Sequence, residues 1–181
     1  MNAEENEATP TDYGEFSRLE FLAHAYAIER EAEERYIELA DQMETHNNPA
    51  VAEIFRKLAR VEGLHALQIL DQAGDRELPH IPPWEYRWRG TESPEAIDAA
   101  DIHYLMTPHH ALGLALKAEE RALRFFSAVA ASQKDAEVRK LAEEFAEDER
   151  EHVRLVKEWL VKIPEPAEDW AEDPDPSASQ E

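Results

Sequence analysis

The sequence predicts an all-α protein: a bundle of four long helices with one long crossover connection between helices two and three. Hydrophobic residues make up 43% of the chain and are rich in Ala and Leu, which favour helices over strands. The 11 prolines leave long proline-free stretches, in which apolar residues recur every three or four positions. Only five glycines are present, which excludes the Gly-rich loops that bind phosphate groups.

The first two helices are joined by a tight turn. Helix one is predicted over about residues 15–45, where the apolar positions follow helical spacing. Helix two begins at Asn48 and Pro49, because asparagine is a common N-cap and proline is tolerated in the first turn. Its predicted end is Gly74, since glycine is common just past a helix C-terminus.

The crossover is predicted over about residues 75–107, and Ser93 with Pro94 predicts a short helix inside it that ends near residue 101. Thr107 and Pro108 repeat the start signal for helix three, which runs to about residue 131. Helix four is predicted over about residues 135–162. Three aromatic residues of the crossover are expected to cover the bundle or contact a second subunit: Trp84, Tyr86 and Trp88.

The predicted organisation is a flexible acidic segment at 1–15, the helical bundle at 16–162, and a disordered Pro-rich tail at 163–181. The formal net charge of −22 disfavours binding to nucleic acid and to anionic membranes. The absence of cysteine excludes disulfides, zinc fingers and thiolate-bound iron in this chain. No apolar run approaches the roughly 18 residues of a membrane span, so a cytoplasmic protein is expected.

Acidic residues and histidines lie on the apolar stripes of all four helices, where charged groups are unexpected. Helices one and three each place a glutamate between alanines on the stripe, and helices two and four each carry a Glu-x-x-His element. The halves match, since 33 residues separate the two glutamates in the first half and 30 in the second. The six candidate metal ligands are Glu29, Glu62, His65, Glu119, Glu149 and His152.

This residue set predicts a site for two divalent cations. Residues at positions i and i+3 project from one face of a helix, so the glutamate and histidine of one Glu-x-x-His element can hold the same metal. Four carboxylates carry a charge of −4, which two divalent cations neutralise, and burying those charges without cations would be strongly unfavourable. Carboxylates combined with imidazoles suit iron(II) or manganese(II).

The bundle at about residues 16–162 resembles the rubrerythrin-like branch of the ferritin-like superfamily, on the strength of both Glu-x-x-His elements and their matched glutamates. The resemblance implies a ferritin-like bundle with a non-haem centre of two iron ions, manganese being an alternative. It also implies an oxidoreductase that oxidises Fe(II), or reduces hydrogen peroxide or oxygen, in defence against iron and oxidative stress. No further cofactor is expected.

The chain departs from the family pattern at three places. Ala122 occupies a helix-three position where rubrerythrins usually have a further glutamate. Phe126 replaces a tyrosine, which leaves Tyr36 to donate a hydrogen bond to a ligand carboxylate. Because the cysteine-bound iron of a rubredoxin domain is also missing, a separate electron-donor protein is expected.

Several alternatives remain open at this stage. The chain could be a ferritin-type protein that stores oxidised iron in a larger assembly, a dimanganese catalase-like protein, or a scaffold bundle without metal. A homodimer is expected, because helix one and the aromatic crossover offer more apolar surface than one bundle needs. An auxiliary role for His103, His109 and His110 is open, whereas His24 falls off the ligand face of helix one.

Overall fold

The computed structural model describes residues 13–88, 93–167 and 169–171. Within these ranges the chain contains helices and no strands, which confirms the predicted all-α class. There are four long helices and, between the second and third, two short 3₁₀ turns at Pro83–Glu85 and Ala99–Asp101. The long helices are α1 (Arg18–Thr45), α2 (Pro49–Ala73), α3 (Pro108–Ser132) and α4 (Ala136–Lys162).

The helices pack as two hairpins, α1 along α2 and α3 along α4, and the hairpins face each other. Turns of only a few residues join the helices within each hairpin, at 46–48 and 133–135, whereas residues 74–107 cross from α2 to α3. This arrangement confirms the ferritin-like four-helix bundle with one long crossover. None of the described helices has the length and apolar character that crossing a membrane requires.

The helix starts follow the residues that predicted them. Ser17 caps α1 through a capping box with Glu20, in which each side chain pairs with the backbone N–H of the other residue. Asn48 precedes Pro49 as predicted, but its amide does not cap α2. It donates instead to the carbonyl oxygens of Tyr104 and Met106, at 3.3 and 2.7 Å, which ties the end of the crossover to the first hairpin.

Two apolar clusters fill the bundle, one on each side of a polar layer. One cluster contains the first half of α1 and the last turns of α2, and the other contains the second half of α1 and the first half of α2. Phe21, Phe126 and Phe145 contact one another in the first cluster, and Tyr36 stacks on Phe55 in the second. The candidate ligands lie at the level where one cluster gives way to the other.

The short helix predicted from Ser93 and Pro94 to residue 101 does not form, so that prediction is wrong. The segment makes a turn, runs extended, and then makes the single 3₁₀ turn Ala99–Asp101. The reason is a long-range contact: the Arg121 guanidinium of α3 binds the carbonyl oxygens of Pro94 and Ala96 at 2.8 and 2.7 Å. A helix would need those carbonyls for its own hydrogen bonds.

The crossover aromatics divide into one exposed and two packed residues. Tyr86 stacks on Trp88, with ring centroids 4.0 Å apart, and Trp88 packs edge-on against Phe125. Both rings also contact His24, which is buried and donates from Nδ1 to the Glu20 carbonyl oxygen at 2.8 Å. Trp84 is 83% exposed, so the expected cover over the bundle consists of Tyr86 and Trp88.

Both termini meet the bundle where the structure describes them. Gln133, at the end of α3, accepts from the Phe16 N–H and donates to the Gly14 carbonyl oxygen. Trp170 packs on His110, with ring centroids 3.9 Å apart. Most of the segment predicted to be flexible at 1–15, and the last ten residues of the predicted disordered tail, lie outside the described residues.

Loss of the α4 cap should destabilise the protein measurably. The Asp135 carboxylate accepts from the N–H groups of Glu137 and Val138 at 2.8 and 3.0 Å. Asp135→Ala should lower the free energy of unfolding by about 1 kcal/mol and Tm by about 2–4 °C, as measured by urea titration and thermal denaturation. Asp135→Asn keeps an acceptor oxygen and should lose less, and equal losses in both variants would contradict this role.

His24 should make the fold acid-sensitive. Burial lowers the pKa of His24, and the positive charge of Arg87 adds to this, against the opposing effects of the Glu20 carbonyl and carboxylate. The folded protein therefore disfavours the imidazolium, so this stability is fully present above pH about 6.5 and is lost as pH falls through the lowered pKa. His24→Gln should flatten the fall in urea midpoint between pH 7.5 and 5.0, whereas exposed His80→Gln should not.

Candidate metal centre

The polar layer of the bundle is formed by four buried glutamates, one from each helix. Glu29, Glu62, Glu119 and Glu149 are each at most 4% exposed. Each occupies the buried stripe that its spacing predicts, between small residues such as Ala25 and Ala32 in α1. All six predicted ligands are brought together in this layer, although their binding of metal stays a prediction.

The first hairpin contributes Glu29, Glu62 and His65. His65 Nδ1 donates to Glu62 Oε2 at 3.1 Å and lies 3.6 Å from Glu29 Oε2. One potential ligand atom from each residue lies within 4.8 Å of the other two, so the three can hold one metal ion together. The i, i+3 spacing of the Glu-x-x-His element brings its two side chains to the same face, as expected.

The second hairpin repeats this arrangement with Glu119, Glu149 and His152. His152 Nδ1 lies 3.3 Å from Glu149 Oε2 and 3.4 Å from Glu119 Oε2. One potential ligand atom from each of these residues lies within 4.8 Å of the other two, so they can also hold one metal ion together. The matched distances in the two halves agree with the duplication that the sequence shows.

The two histidines meet at an open face of the bundle. Their rings stack, with centroids 4.5 Å apart and planes 9° from parallel. Their side chains are 21% and 17% exposed, and they line a cavity of about 250 Å³ between α2 and α4. Glu29 and Glu149 also line this cavity, together with Gln68, Ile69, Gln72, Phe145 and Asp148. Small molecules can therefore reach the carboxylate layer past the imidazole rings.

The electrostatics of the layer reflect an excess of buried negative charge. Burial raises the pKa of Glu62 to about 7, against the hydrogen bond from His65 and with help from the charges of Glu119 and Glu29. Burial also raises the pKa of Glu149 well above its ordinary value.

The pKa values of His65 and His152 are raised, although burial alone would lower them. Burial by itself would lower the pKa of each imidazole, but hydrogen bonds to the neighbouring carboxylates and their charges prevail. They raise the pKa of His65 to about 10 and that of His152 to about 11. The cluster therefore attracts positive charge strongly.

The donor set fits a pair of divalent cations. Buried carboxylate oxygens of Glu29, Glu62 and Glu119 lack hydrogen-bond partners among the described residues, although such groups are normally paired. Bound cations would supply the compensation that these oxygens lack. Hard carboxylate oxygens together with two imidazoles suit iron(II) or manganese(II).

Tyr36 lies beside the layer but does not make the predicted hydrogen bond. Its hydroxyl is buried and has no hydrogen-bond partner within the described part of the chain. Burial, followed by the charges of Glu119 and Glu62, raises the pKa of Tyr36 well above its ordinary value. Those two carboxylates lie instead against the histidines, which are the stronger hydrogen-bond donors.

The other histidines lie away from the layer. His110 Nδ1 accepts from the Thr107 N–H at 3.1 Å, and His103 Nδ1 accepts from the Leu105 N–H at 3.1 Å, so both nitrogens serve local turns. Neither these two nor His109 belongs to a group that could hold a metal among residues 13–88, 93–167 and 169–171.

Sequence reasoning missed Glu95. This glutamate lies in the crossover, is 1% exposed, and approaches acids of both halves. Burial, followed by the negative charges of the neighbouring acids, raises the pKa of Glu95 well above its ordinary value. A helical stripe could not reveal it, because the segment is not helical. The available signal was a charged residue between Pro94 and the apolar pair Ala96 and Ile97.

A family model described as rubrerythrin matches residues 20–160, a range that includes all six candidate ligands. The chain belongs to the rubrerythrin family. The crystal structure of an uncharacterised conserved protein from Magnetospirillum magnetotacticum MS-1 is similar to this rubrerythrin-family chain, with 45% identity and a TM-score of 0.64. The similarity covers 84% of this chain and 99% of the other. No curated protein matches the chain with significant similarity.

Divalent metal should stabilise this rubrerythrin-family protein. Saturation with Mn(II) at about 100 times Kd should add about 2.7 kcal/mol, which corresponds to a rise in Tm of about 5–10 °C that EDTA reverses. Glu149→Gln should lose most of this rise, because it removes a buried ligand charge. Exposed Glu147→Gln, two residues away on α4, should keep it, and equal responses of the two variants would argue against the site.

Proposed function

We propose that this protein is a non-haem di-iron oxidoreductase that oxidises Fe(II) with hydrogen peroxide or oxygen and needs an external electron donor for repeated turnover. The observation that supports this most strongly is the pair of matched Glu–Glu–His clusters beneath an open cavity. Membership of the rubrerythrin family supports the same chemistry.

In this proposal the two Glu–Glu–His clusters hold the cations, and the residues around the cavity admit a small oxidant. Each cluster would hold one iron ion, through Glu29, Glu62 and His65 in one half and the corresponding residues in the other: Glu119, Glu149 and His152. When bound, two Fe(II) ions supply two electrons, which with two protons reduce hydrogen peroxide to two water molecules or oxygen to hydrogen peroxide.

The protein around the site favours small oxidants. The cavity of about 250 Å³ suits peroxide or oxygen rather than a bulky substrate. Gln68 and Gln72 on α2 and Asp148 on α4 give it polar walls, which can hydrogen-bond peroxide and water. Phe145 and Ile69 supply the apolar remainder of the wall.

A homodimer and a separate electron-donor protein complete the proposal. Exposed leucines follow one face of α2, where Leu64 and Leu67 are 59% and 61% exposed. An apolar face of this kind supports self-association. It lies on α2, whereas the sequence pointed to helix one and the crossover. A dimer or tetramer by size-exclusion chromatography would agree with the enzyme, and a very large particle would favour ferritin-type storage.

Anaerobic titration with Fe(II) tests the proposed activity. We expect the signal to break at two iron ions per chain, and the loaded protein to turn yellow-brown when one equivalent of hydrogen peroxide is added. Glu62→Ala should abolish the break, because it removes a ligand from the centre of the first cluster. Binding of two manganese ions with no response to ferrous iron would replace this proposal with the dimanganese alternative.

A matched control variant distinguishes iron binding at the buried clusters from iron binding by acidic residues on the surface. Glu120 lies next to Glu119 on α3, but it is partly exposed and pairs with Lys157 at 3.1 Å. Glu120→Gln should therefore titrate like the unmodified protein. If it fails as Glu62→Ala does, the acidic surface rather than the buried clusters binds the iron.

A further inference from the structure

We propose that Glu95 of the crossover is a seventh ligand of the metal centre. This inference rests on the proposed metal centre, since it adds one residue to that site. Glu95 is the one member of the cluster carried by neither hairpin.

The first argument is the state of the Glu95 side chain. It is 1% exposed, and neither carboxylate oxygen has a hydrogen-bond partner within the described residues. Burying a carboxylate without a partner is costly, and buried charges in proteins are normally paired or bound to a metal. A glutamate in a connecting segment could turn to solvent, so its burial needs a compensating ligand.

The second argument is where the oxygens lie. A Glu95 oxygen, a Glu29 oxygen and a Glu149 oxygen fall within 4.8 Å of one another. The same holds for Glu95 with Glu62 and Glu119. Each group takes one acid from each hairpin, so Glu95 lies near carboxylates of both Glu–Glu–His clusters. A carboxylate placed there can offer one oxygen to each of two cations.

The third argument is how firmly the segment is held. Arg121 Nε donates to the Pro94 carbonyl oxygen at 2.8 Å, and Arg121 Nη2 donates to the Ala96 carbonyl oxygen at 2.7 Å. These bonds bracket Glu95 on both sides. Arg121 lies two residues after Glu119 on α3, so a ligand-bearing helix also fixes the crossover. Ile97, which is 2% exposed, packs in the second apolar cluster and holds the chain just after Glu95 against the core.

Glu95 belongs to the acid layer but does not line the open cavity. His65, His152, Glu29 and Glu149 line the cavity between α2 and α4, whereas Glu95 does not. Binding of cations by Glu95 would therefore leave the cavity side of the site free for a small oxidant.

The experiment compares Glu95→Gln with Glu85→Gln, a change of an exposed glutamate in the same crossover. Co(II) serves as the probe, because its visible absorption reports the ligands around it. Glu95→Gln should still bind two Co(II) per chain, with affinity lowered at least tenfold and shifted absorption bands. The apoprotein of this variant should melt at a higher temperature than the unmodified apoprotein, because an amide avoids the cost of burying a carboxylate that is charged in the unfolded chain. Glu85→Gln should match the unmodified protein in all three measurements.

Two results would overturn the inference. Unchanged Co(II) affinity and spectrum in Glu95→Gln would show that Glu95 does not touch the cations, whatever happens to the apoprotein Tm. Affinity lowered equally in Glu85→Gln would show a general charge effect. If the unmodified protein itself bound no Co(II), the proposed metal centre would fail, which is a separate outcome from failure of Glu95.

Arg121 provides an independent check as a positioning residue. Arg121→Gln should weaken Co(II) binding less than Glu95→Gln does and should shift the absorption bands in the same direction. The double variant should bind no more weakly than Glu95→Gln alone, because Arg121 acts through Glu95. Additive losses would show that Arg121 affects the site by another route and that the crossover does not deliver a ligand.

Discussion

The burial of five carboxylates in one layer, together with their mutual repulsion, is the constraint on which this structure depends. Glutamates from all four helices and one from the crossover lie in a layer that solvent scarcely reaches, and the two imidazoles beside them carry at most two positive charges. Such a layer is unfavourable unless protons or cations neutralise it. Burial and the neighbouring negative charges raise the pKa values of Glu62, Glu95 and Glu149, which favours retention of protons when no cation is bound. Bound cations would neutralise the same excess of negative charge.

The acidic residues are arranged symmetrically in the two hairpins, but access to them from solvent is not symmetric. The hairpins present equivalent Glu–Glu–His clusters, related across the stacked rings of His65 and His152. The open cavity does not follow this equivalence, because Glu29 and Glu149 line it whereas their counterparts Glu119 and Glu62 do not. Ala122 is fully buried at the helix-three position where the family resemblance implied a further acid. The crossover brings its own acid, Glu95, to the layer instead.

The sequence predicted those parts of the structure that depend on local periodicity. The four helices and the positions of the six clustered residues follow from spacing along each helix. The parts it missed depend on contacts between distant segments. Arg121 donates hydrogen bonds to the carbonyl oxygens on both sides of Glu95, which lie 25 or more residues away in the sequence. These bonds compete with the predicted short helix. They also hold the Glu95 segment against the bundle, where no helical periodicity could predict a buried carboxylate. Asn48 likewise bonds across to the end of the crossover rather than to its own helix.

The division of the core into two apolar clusters has a consequence for the life of the protein. Each hairpin closes through contacts between neighbouring helices, which form readily. The apolar contact between the two hairpins is interrupted by the acid layer, which lies between the two clusters. Cations bound there would link the two hairpins. Their removal would weaken the contact between the hairpins more than the contacts within each hairpin. The resistance of the chain to proteases would then rise when divalent metal is bound and fall when it is removed.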